Sequence, residues 1–218
     1  MIIIPNVPCK HVMDFPVEME FVLLHKLLDN KFYRDYYIAT KDDGKYRILD
    51  NGAFELGEGL NDELLLEWAE KINATEIILP DVYGKKDETL KQMLDFLDKH
   101  PKCKYKMMVV PQGSDEAEME ACLTLMLGEN RVHCIGLNKL WESKLDYAVE
   151  IIKSFSNKEI HMLGVNKLSD WNSKLPIRSA DSRILSKLVT GVEDPWEEEL
   201  DKTQLSILKR LVDEVSKW

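Results

Sequence analysis

The 218-residue sequence predicts an α/β fold, a (β/α)8 TIM-type barrel, on three observations. Short apolar runs alternate with segments of helical periodicity almost to the carboxyl end, as parallel α/β folds require. No low-complexity tract or Gly/Ser linker divides the chain, and its length suits one hydrophobic core. We therefore expect a single barrel domain over residues 1–218, with a carboxyl-terminal helix over 197–217 packed outside. A doubly wound sheet is the alternative.

Apolar runs mark the candidate strands. They span residues 2–4, 36–39, 46–49, 76–79, 106–110, 132–135, 160–163 and 177–180. Only a turn containing Asp42-Asp43-Gly44 separates the second run from the third. Such a turn is typical of a hairpin and too short for a parallel crossover. The sequence thus predicts an irregular barrel near residues 36–50.

Between the runs, apolar residues recur at helical spacing. Three such stripes are predicted to face the sheet: Leu65, Trp68, Ala69 and Ile72; Leu90, Met93, Leu94 and Leu97; Ala148, Ile151, Ile152 and Phe155. Asn61 and Ser114 are predicted helix N-caps, because each has a capping side chain and is followed by two acidic residues. Gly128 is predicted to end a helix. The last amphipathic helix is expected to close the outer ring, with a homodimer contact as the alternative.

Composition restricts the class of protein. The four cysteines (Cys9, Cys103, Cys122, Cys134) lack the spacing of a disulfide framework or a zinc site. We expect reduced thiols, no metal, no cofactor, activity that survives chelation, and a cytoplasmic location, in the host cytoplasm for a viral protein. The first residues, MIIIPNVPCK, are too short for a membrane span and lack a basic leader. A net charge of −10 opposes nucleic-acid binding unless positive charge is concentrated at one mouth.

Polar residues and glycines follow the apolar runs. They include Asp50, Asp81, Gln112, Gly136, Gly164 and Asp181. Because the carboxyl ends of barrel strands meet at one rim, where barrel enzymes build their active sites, we expect these residues to converge. Singly, each has a simpler interpretation, since an Asp after a strand often caps the next helix and a Gly often belongs to a turn.

The order of these motifs resembles the tRNA-guanine transglycosylase superfamily, most closely its small, phage-like, DNA-modifying relatives of the DpdA type. The match covers roughly residues 46–185. LDNGAFE (49–55) is similar to the family's Asp-Ser-Gly-Gly-Phe-Gln, LPD (79–81) to its base-recognising Asp segment, and VPQG (110–113) to its Val-Gln-Gly. CIGL (134–137) and HMLGV (161–165) are similar to its glycine-rich and Leu-Met-Gly-Val segments.

The resemblance implies base exchange, in which guanine in a nucleic acid is replaced by a 7-deazaguanine derivative through a covalent Asp–sugar intermediate. Asp181 stands at the position of the nucleophile, without the family's surrounding Phe-Asp-Cys-Val and Pro-Thr-Arg residues. Asp50 is expected to carry protons. No cysteine follows Cys134, so the family's zinc segment is missing, which favours DNA over tRNA as the partner.

The same resemblance implies how the base is bound. Asp81 is expected to accept hydrogen bonds from the purine N1–H and 2-amino group, and Gln112 and the backbone N–H of Gly136 suit the O6 atom. Gly164 is expected to allow close backbone approach. Aromatic candidates for stacking on the base are Phe54, Tyr83 and Trp141, each with a place in the core as the alternative.

Two near copies, GLNKL (136–140) and GVNKL (164–168), each follow an apolar run. We expect Lys139 and Lys167, aided by Arg178, Arg183 and the Lys85-Lys86 pair, to bind the phosphates that flank the target nucleotide. The alternative is that similar strand-to-helix turns converge on similar residues.

Three other functions compete with DNA base exchange. The first is the same chemistry on tRNA, and the second is a catalytically silent barrel that positions a partner. The third is a sugar-phosphate aldolase or isomerase, which needs a Schiff-base lysine or a metal cluster inside the barrel. No lysine stands in the inward part of an apolar run, although Lys106 opens one.

Overall fold

The computed structural model describes residues 1–15, 17–165 and 174–215. Its strands are β1 (Ile2–Pro5), β2 (Met19–Leu23), β3 (Tyr46–Asp50), β4 (Glu76–Ile78), β5 (Lys106–Val109), β6 (Cys134–Leu137), β7 (Glu159–Met162) and β8 (Ser179–Ser182). Its α-helices are α1 (Leu24–Asp29), α2 (Lys31–Ala39), α3 (Ala53–Leu56), α4 (Asp62–Lys71), α5 (Lys86–Lys99), α6 (Glu116–Leu127), α7 (Leu145–Phe155), α8 (Ile184–Thr190) and α9 (Lys202–Val215). Short 3-10 helices span Cys9–Asp14 and Lys139–Lys144.

The strands form one parallel sheet in the order β1-β8-β7-β6-β5-β4-β3-β2. The first and last strands of this order, β1 and β2, touch each other, but no ladder joins them in the described residues. Helices alternate with the strands. The predicted (β/α)8 barrel is therefore confirmed, with a seam left unsealed between β1 and β2.

The core lies between the strands and the helices around them. Ile48, Leu49, Ile77 and Ile135 in the strands are fully buried, as is Leu65 on α4. Burial of each such side chain contributes roughly 1.5–3 kcal/mol. The predicted stripes face this core except at Leu94 and Phe155, whose side chains are 47% and 77% exposed.

The predicted strand at 36–39 is wrong, because these residues form the end of α2. The side chain of Asn30 caps this helix by accepting a hydrogen bond from the backbone N–H of Tyr33. Tyr33 and Tyr37, one helical turn apart, are both buried with their rings edge to face. Aromatic residues are common in strands, which explains the prediction, but the buried tyrosines recur at helical spacing. The turn at Asp42-Asp43-Gly44 therefore joins a helix to β3, and the predicted irregularity near 36–50 is absent.

The strand that sequence reasoning missed is β2. All five of its side chains are buried, including Glu20, whose charge interrupts the apolar run. Arg47 on β3 explains this burial, because its Nε donates to a Glu20 carboxylate oxygen at 2.8 Å. Lys45 also donates to Glu20, at 2.8 Å. Buried charges are tolerated when they are paired in this way.

Two details of the helices complete the fold. Asn61 caps α4 as predicted, whereas α6 is capped by Asp115, one residue beyond the predicted Ser114. Helix α9 buries Leu208, Val212 and Val215 and packs against α8. Across the described part of the chain, no helix combines the length and hydropathy needed to cross a membrane.

Candidate functional site

A cavity of about 280 Å³ opens at the carboxyl ends of the strands. Its wall contains many of the predicted site residues: Asp50, Phe54, Asp81, Gln112, Lys139, Gly164, Asp181 and Arg183. It also contains Asn6 and Lys187, which no motif included, and Glu55 and Asn138, which lie in the quoted motifs but were given no role. Asn6 directly follows β1, and Asn138 caps the 3-10 helix that begins at Lys139. Glu55 lies on α3 and Lys187 on α8. The sequence thus located the rim but not all of its members.

Asp181 lies inside β8, which begins at Ser179 rather than at the predicted residue 177. Its carboxylate accepts hydrogen bonds on both oxygens. Asn6 Nδ2 lies 2.7 Å from Oδ2, and the backbone N–H of Gly164 lies 3.1 Å from Oδ1. The Nε2 atom of His161 is also 3.1 Å from Oδ1. Several donors around one carboxylate suit its ionised form, which has only acceptor atoms.

Gly164 has a specific reason to be glycine. Its φ of +63° lies in the left-handed region, and nothing lies within 4 Å of where a Cβ would stand. The requirement is therefore conformational, because an L side chain at this φ is strained. This backbone turn directs the Gly164 N–H at Asp181.

Asp50 ends β3 in very different surroundings. Burial raises its pKa well above the ordinary carboxyl value, and the nearby Glu55 carboxylate raises it further. One hydrogen bond, from the Gly52 N–H to Oδ2 at 2.8 Å, opposes this effect. Burial raises the pKa of Glu55 as well, and Asp181 adds to that shift. Asp50 is thus suited to hold a proton, whereas the hydrogen-bond donors around Asp181 would stabilise a negative charge on its carboxylate.

Asp81 is 3% exposed and sits between two amides. Asn51 Nδ2 donates to Oδ1 at 2.7 Å, and Gln112 Nε2 donates to Oδ2 at 2.6 Å. Burial raises the pKa of Asp81 to about 6, although both hydrogen bonds act to lower it. Gln112 Oε1 accepts in turn from the Gly84 N–H at 3.1 Å and from Asn138 at 3.3 Å. Gln112 therefore supports Asp81, in place of the predicted role toward a purine O6.

Positive charge collects on one side of the mouth. Lys139, Arg183 and Lys187 line the cavity. Arg183 lies 3.5 Å from Asp194, and Lys187 pairs with Glu193. The acidic turn at 193–194 therefore faces two of the three cations.

Two of the predicted site residues lie away from the cavity, and a third cannot be assigned to it. Arg178 precedes β8 at the opposite end of the barrel, where its Nη1 contacts Glu76 at 2.8 Å and Glu159 at 2.7 Å, so it is removed from the phosphate-binding prediction. Gly136 lies within β6, outside the cavity wall, and a Cβ there would stand 3.0 Å from Leu163. The strand needs glycine for close packing. Lys167 lies outside the described residues, as does its neighbour Asn166.

The aromatic candidates separate into two groups. Phe54 and Tyr83 are 59% and 40% exposed, line the cavity, and form an edge-to-face pair with centroids 5.7 Å apart. Trp141 is 1% exposed and belongs to the core. Stacking on a ligand is thus open to Phe54 and Tyr83, and Trp141 is excluded.

One group of residues has the composition of a metal site. In the part of the chain that the structure describes, His25, Asp50 and Glu55 bring one ligand atom each within 4.8 Å of one another. A metal requires deprotonated ligands. Burial and neighbouring carboxylates raise the pKa values of Asp50 and Glu55 when no cation is present. A bound cation would oppose that shift, so the expected lack of a metal stays a prediction. Lys106 begins β5 at the far end of the barrel and is no Schiff-base candidate for this mouth.

Comparison with known proteins supports the fold alone. No protein-family model matches this chain, and no curated protein matches it. Among solved structures, it is similar to the crystal structure of the YdjI aldolase from Escherichia coli K12, with a TM-score of 0.62 and 9% sequence identity. The similarity covers 99% of this chain and 88% of the aldolase. At this identity the two chains share a barrel fold of a kind found in enzymes, and the residues of the mouth must indicate the reaction.

Proposed function

We propose that this barrel is a transglycosylase that exchanges guanine in DNA for a 7-deazaguanine derivative. One observation carries the proposal. The cavity holds two carboxyl groups in opposite surroundings, with donors on both oxygens of Asp181 and a raised pKa at Asp50. Two carboxyl groups whose surroundings push their pKa values apart can act one as a proton donor and the other as an ionised nucleophile. Base exchange needs both groups in one pocket. The resemblance of the motifs adds the choice of substrate.

The reaction proceeds in two displacements. Asp181 attacks C1′ of the target nucleotide while the C1′–N9 bond breaks, and the electron pair leaves with guanine. Asp50 supplies the proton that neutralises the departing base. In the second displacement Asp50 takes the N9 proton of the incoming base, whose N9 attacks C1′ and releases Asp181. Protons and electrons balance over the cycle without a cofactor.

Asp81 has the capacity to recognise the base. A carboxylate offers about four lone-pair positions, and the amides of Asn51 and Gln112 use two of them. The remaining two suit the N1–H and 2-amino donors of guanine, and Phe54 is exposed at the mouth for stacking. Flipping the target nucleotide out of a duplex costs about a few kcal/mol, which these contacts would offset.

The deciding experiment offers radiolabelled guanine to the protein together with duplex DNA or with tRNA. Incorporation into DNA supports the proposal, and incorporation into tRNA alone would replace it with the tRNA reaction. The Asp181→Asn variant is the control for background labelling. No incorporation into either nucleic acid would refute base exchange and favour a barrel that only positions a partner.

Asp50→Asn is expected to slow exchange by on the order of 10²–10⁴-fold and to remove the alkaline limb of its pH profile. The raised pKa extends the pH range over which Asp50 holds its proton, and exchange should decline as pH rises through that pKa. Because Asp50 and Glu55 interact, the apparent pKa of this limb describes the pair rather than Asp50 alone. Rates between pH 5 and 10 check this, with Glu58→Gln, an exposed acid nearby, as the control. An unchanged limb in Asp50→Asn would exclude it as the proton carrier.

Lys139→Ala is expected to weaken binding of all DNA sequences alike, because a phosphate contact carries no sequence information. The slope of log affinity against log salt should shrink by about one unit for one lost contact. Lys71→Ala, at the end of α4, is the matched control and should leave the slope unchanged. Equal slopes in wild type and Lys139→Ala would show that Lys139 contacts no phosphate and is a solvated residue of the turn.

A further inference from the structure

A histidine lies directly beneath Asp181. His161 on β7 is fully buried, and its ring stacks on that of Phe21, with centroids 5.5 Å apart and an interplanar angle of 5°. Its Nε2 is 3.1 Å from Asp181 Oδ1, and its Nδ1 is 2.8 Å from Ser179 Oγ. Both ring nitrogens therefore have defined partners, and the ring cannot turn without losing them.

The partners determine which nitrogen carries the proton. Arg178 Nε lies 3.2 Å from Ser179 Oγ. An arginine only donates, so the hydroxyl oxygen accepts from it and the hydroxyl hydrogen is available to donate. An ionised carboxylate only accepts, so the contact with Asp181 places the ring proton on Nε2 and leaves Nδ1 of the neutral ring as an acceptor. In the described contacts of this hydroxyl, His161 Nδ1 is the remaining acceptor. Nδ1 is thus the acceptor, and Nε2–H donates to Asp181.

The two oxygens of Asp181 then differ. Among the residues that the structure describes, Oδ1 accepts from both the His161 Nε2–H and the Gly164 N–H, whereas Oδ2 accepts only from Asn6. The lone pair that remains available for attack is on Oδ2. When Oδ2 forms its bond to C1′, Oδ1 becomes the carbonyl oxygen of the sugar ester and keeps both donors.

We infer that His161 is a positioning residue that orients Asp181 so that Oδ2 attacks, and that Arg178 and Ser179 select its tautomer. This inference rests on the proposed function, because it assigns an attacking atom to Asp181. It also gives Arg178 a role different from the one predicted: its charge acts from the closed end of the barrel through Ser179 and His161. The resulting chain of hydrogen bonds runs from Arg178 to the mouth.

Substitutions at His161 test the inference through kinetics. His161→Leu removes the donor, and His161→Gln places an amide N–H near the position of Nε2. We expect His161→Leu to lower kcat by about 10–100-fold, the range for partners that orient a functional ligand, with KM within about twofold of wild type. His161→Gln should recover most of the loss. Thermal melting of both variants separates this effect from unfolding. Equal kcat in wild type and His161→Leu would overturn the inference.

A second measurement does not depend on activity. The ¹⁵N NMR spectrum of histidine-labelled protein reports which nitrogen of His161 is protonated. We expect the Nε2–H tautomer in wild type and its partial loss in Ser179→Ala, which removes the donor to Nδ1. An Nδ1–H tautomer in wild type overturns the donor role of His161 even in an active enzyme. Absence of exchange in wild type would instead refute the proposed function, and an Nε2–H tautomer would then still support the hydrogen-bond arrangement.

Discussion

Asp181→Asn is expected to abolish base exchange, with a loss on the order of 10³-fold or more, and to yield no covalent protein–DNA adduct. An amide is a far weaker nucleophile than a carboxylate, and removal of the group that forms the covalent bond eliminates the double displacement. The fold should survive. Asn6 is an amide whose turning would place its oxygen opposite the new NH2 group, so the contact at Oδ2 can be kept.

The measurement is a single turnover without an incoming base, followed by denaturing electrophoresis to detect the adduct. Circular dichroism and thermal melting establish that the variant is folded. Asp50→Asn is the informative comparison, because loss of a proton carrier slows adduct formation without removing the attacking atom. A folded Asp181→Asn protein with wild-type exchange would exclude Asp181 as the nucleophile.

Arg47→Leu is expected to produce the largest loss of stability, about 3–5 kcal/mol in the free energy of unfolding. Arg47 is 1% exposed at the closed end of the barrel. Its Nε donates to Glu20 at 2.8 Å, and its Nη2 donates to the Thr40 carbonyl and to Asp43, both at 2.8 Å. Leucine fills the space but leaves the buried Glu20 with Lys45 and Tyr36 as its remaining partners among the described residues.

Urea unfolding measures this loss. Lys104→Ala is the control, because Lys104 pairs with Glu70 on the surface and solvent screens such a pair. Its unfolding midpoint should stay close to that of wild type. If Arg47→Leu were as stable as Lys104→Ala, the attraction within the buried network would only offset the cost of desolvating its charges and would add nothing to the free energy of unfolding.

The fold was predictable because most strands are apolar runs and most helices have an apolar stripe. The two errors in the set of strands, the missed β2 and the wrongly predicted strand at 36–39, have physical causes. Glu20 interrupts the apolar pattern of β2, and its charge is acceptable only because Arg47 pairs with it. The aromatic segment before β3 reads as a strand, yet its tyrosines pack on one face of α2. A single sequence cannot show a pairing between residues that are distant along the chain.

The candidate site was partly predictable for a related reason. Rim residues such as Asp50 and Asp81 follow strands, so topology alone brings them together. Asn6 follows β1 and gave the same signal, although the sequence analysis did not use it. His161 gave no such signal, because it lies within β7 and its role depends on what it contacts in space. Arg178 was misplaced because it was grouped with the rim residues although it precedes β8, and a residue before a parallel strand lies at the end of the barrel opposite the rim.

The pairing of β1 with β8 has a consequence for the order in which the site is built. Asn6 and Asp181 are 175 residues apart along the chain, yet they share a hydrogen bond. Contacts of such separation require closure of a long loop and are slow to form. During synthesis, the β1 strand has no β8 partner until residues 179–182 have emerged from the ribosome. In a nascent chain Asp181, the proposed nucleophile, therefore lacks its contact with Asn6 until the barrel closes.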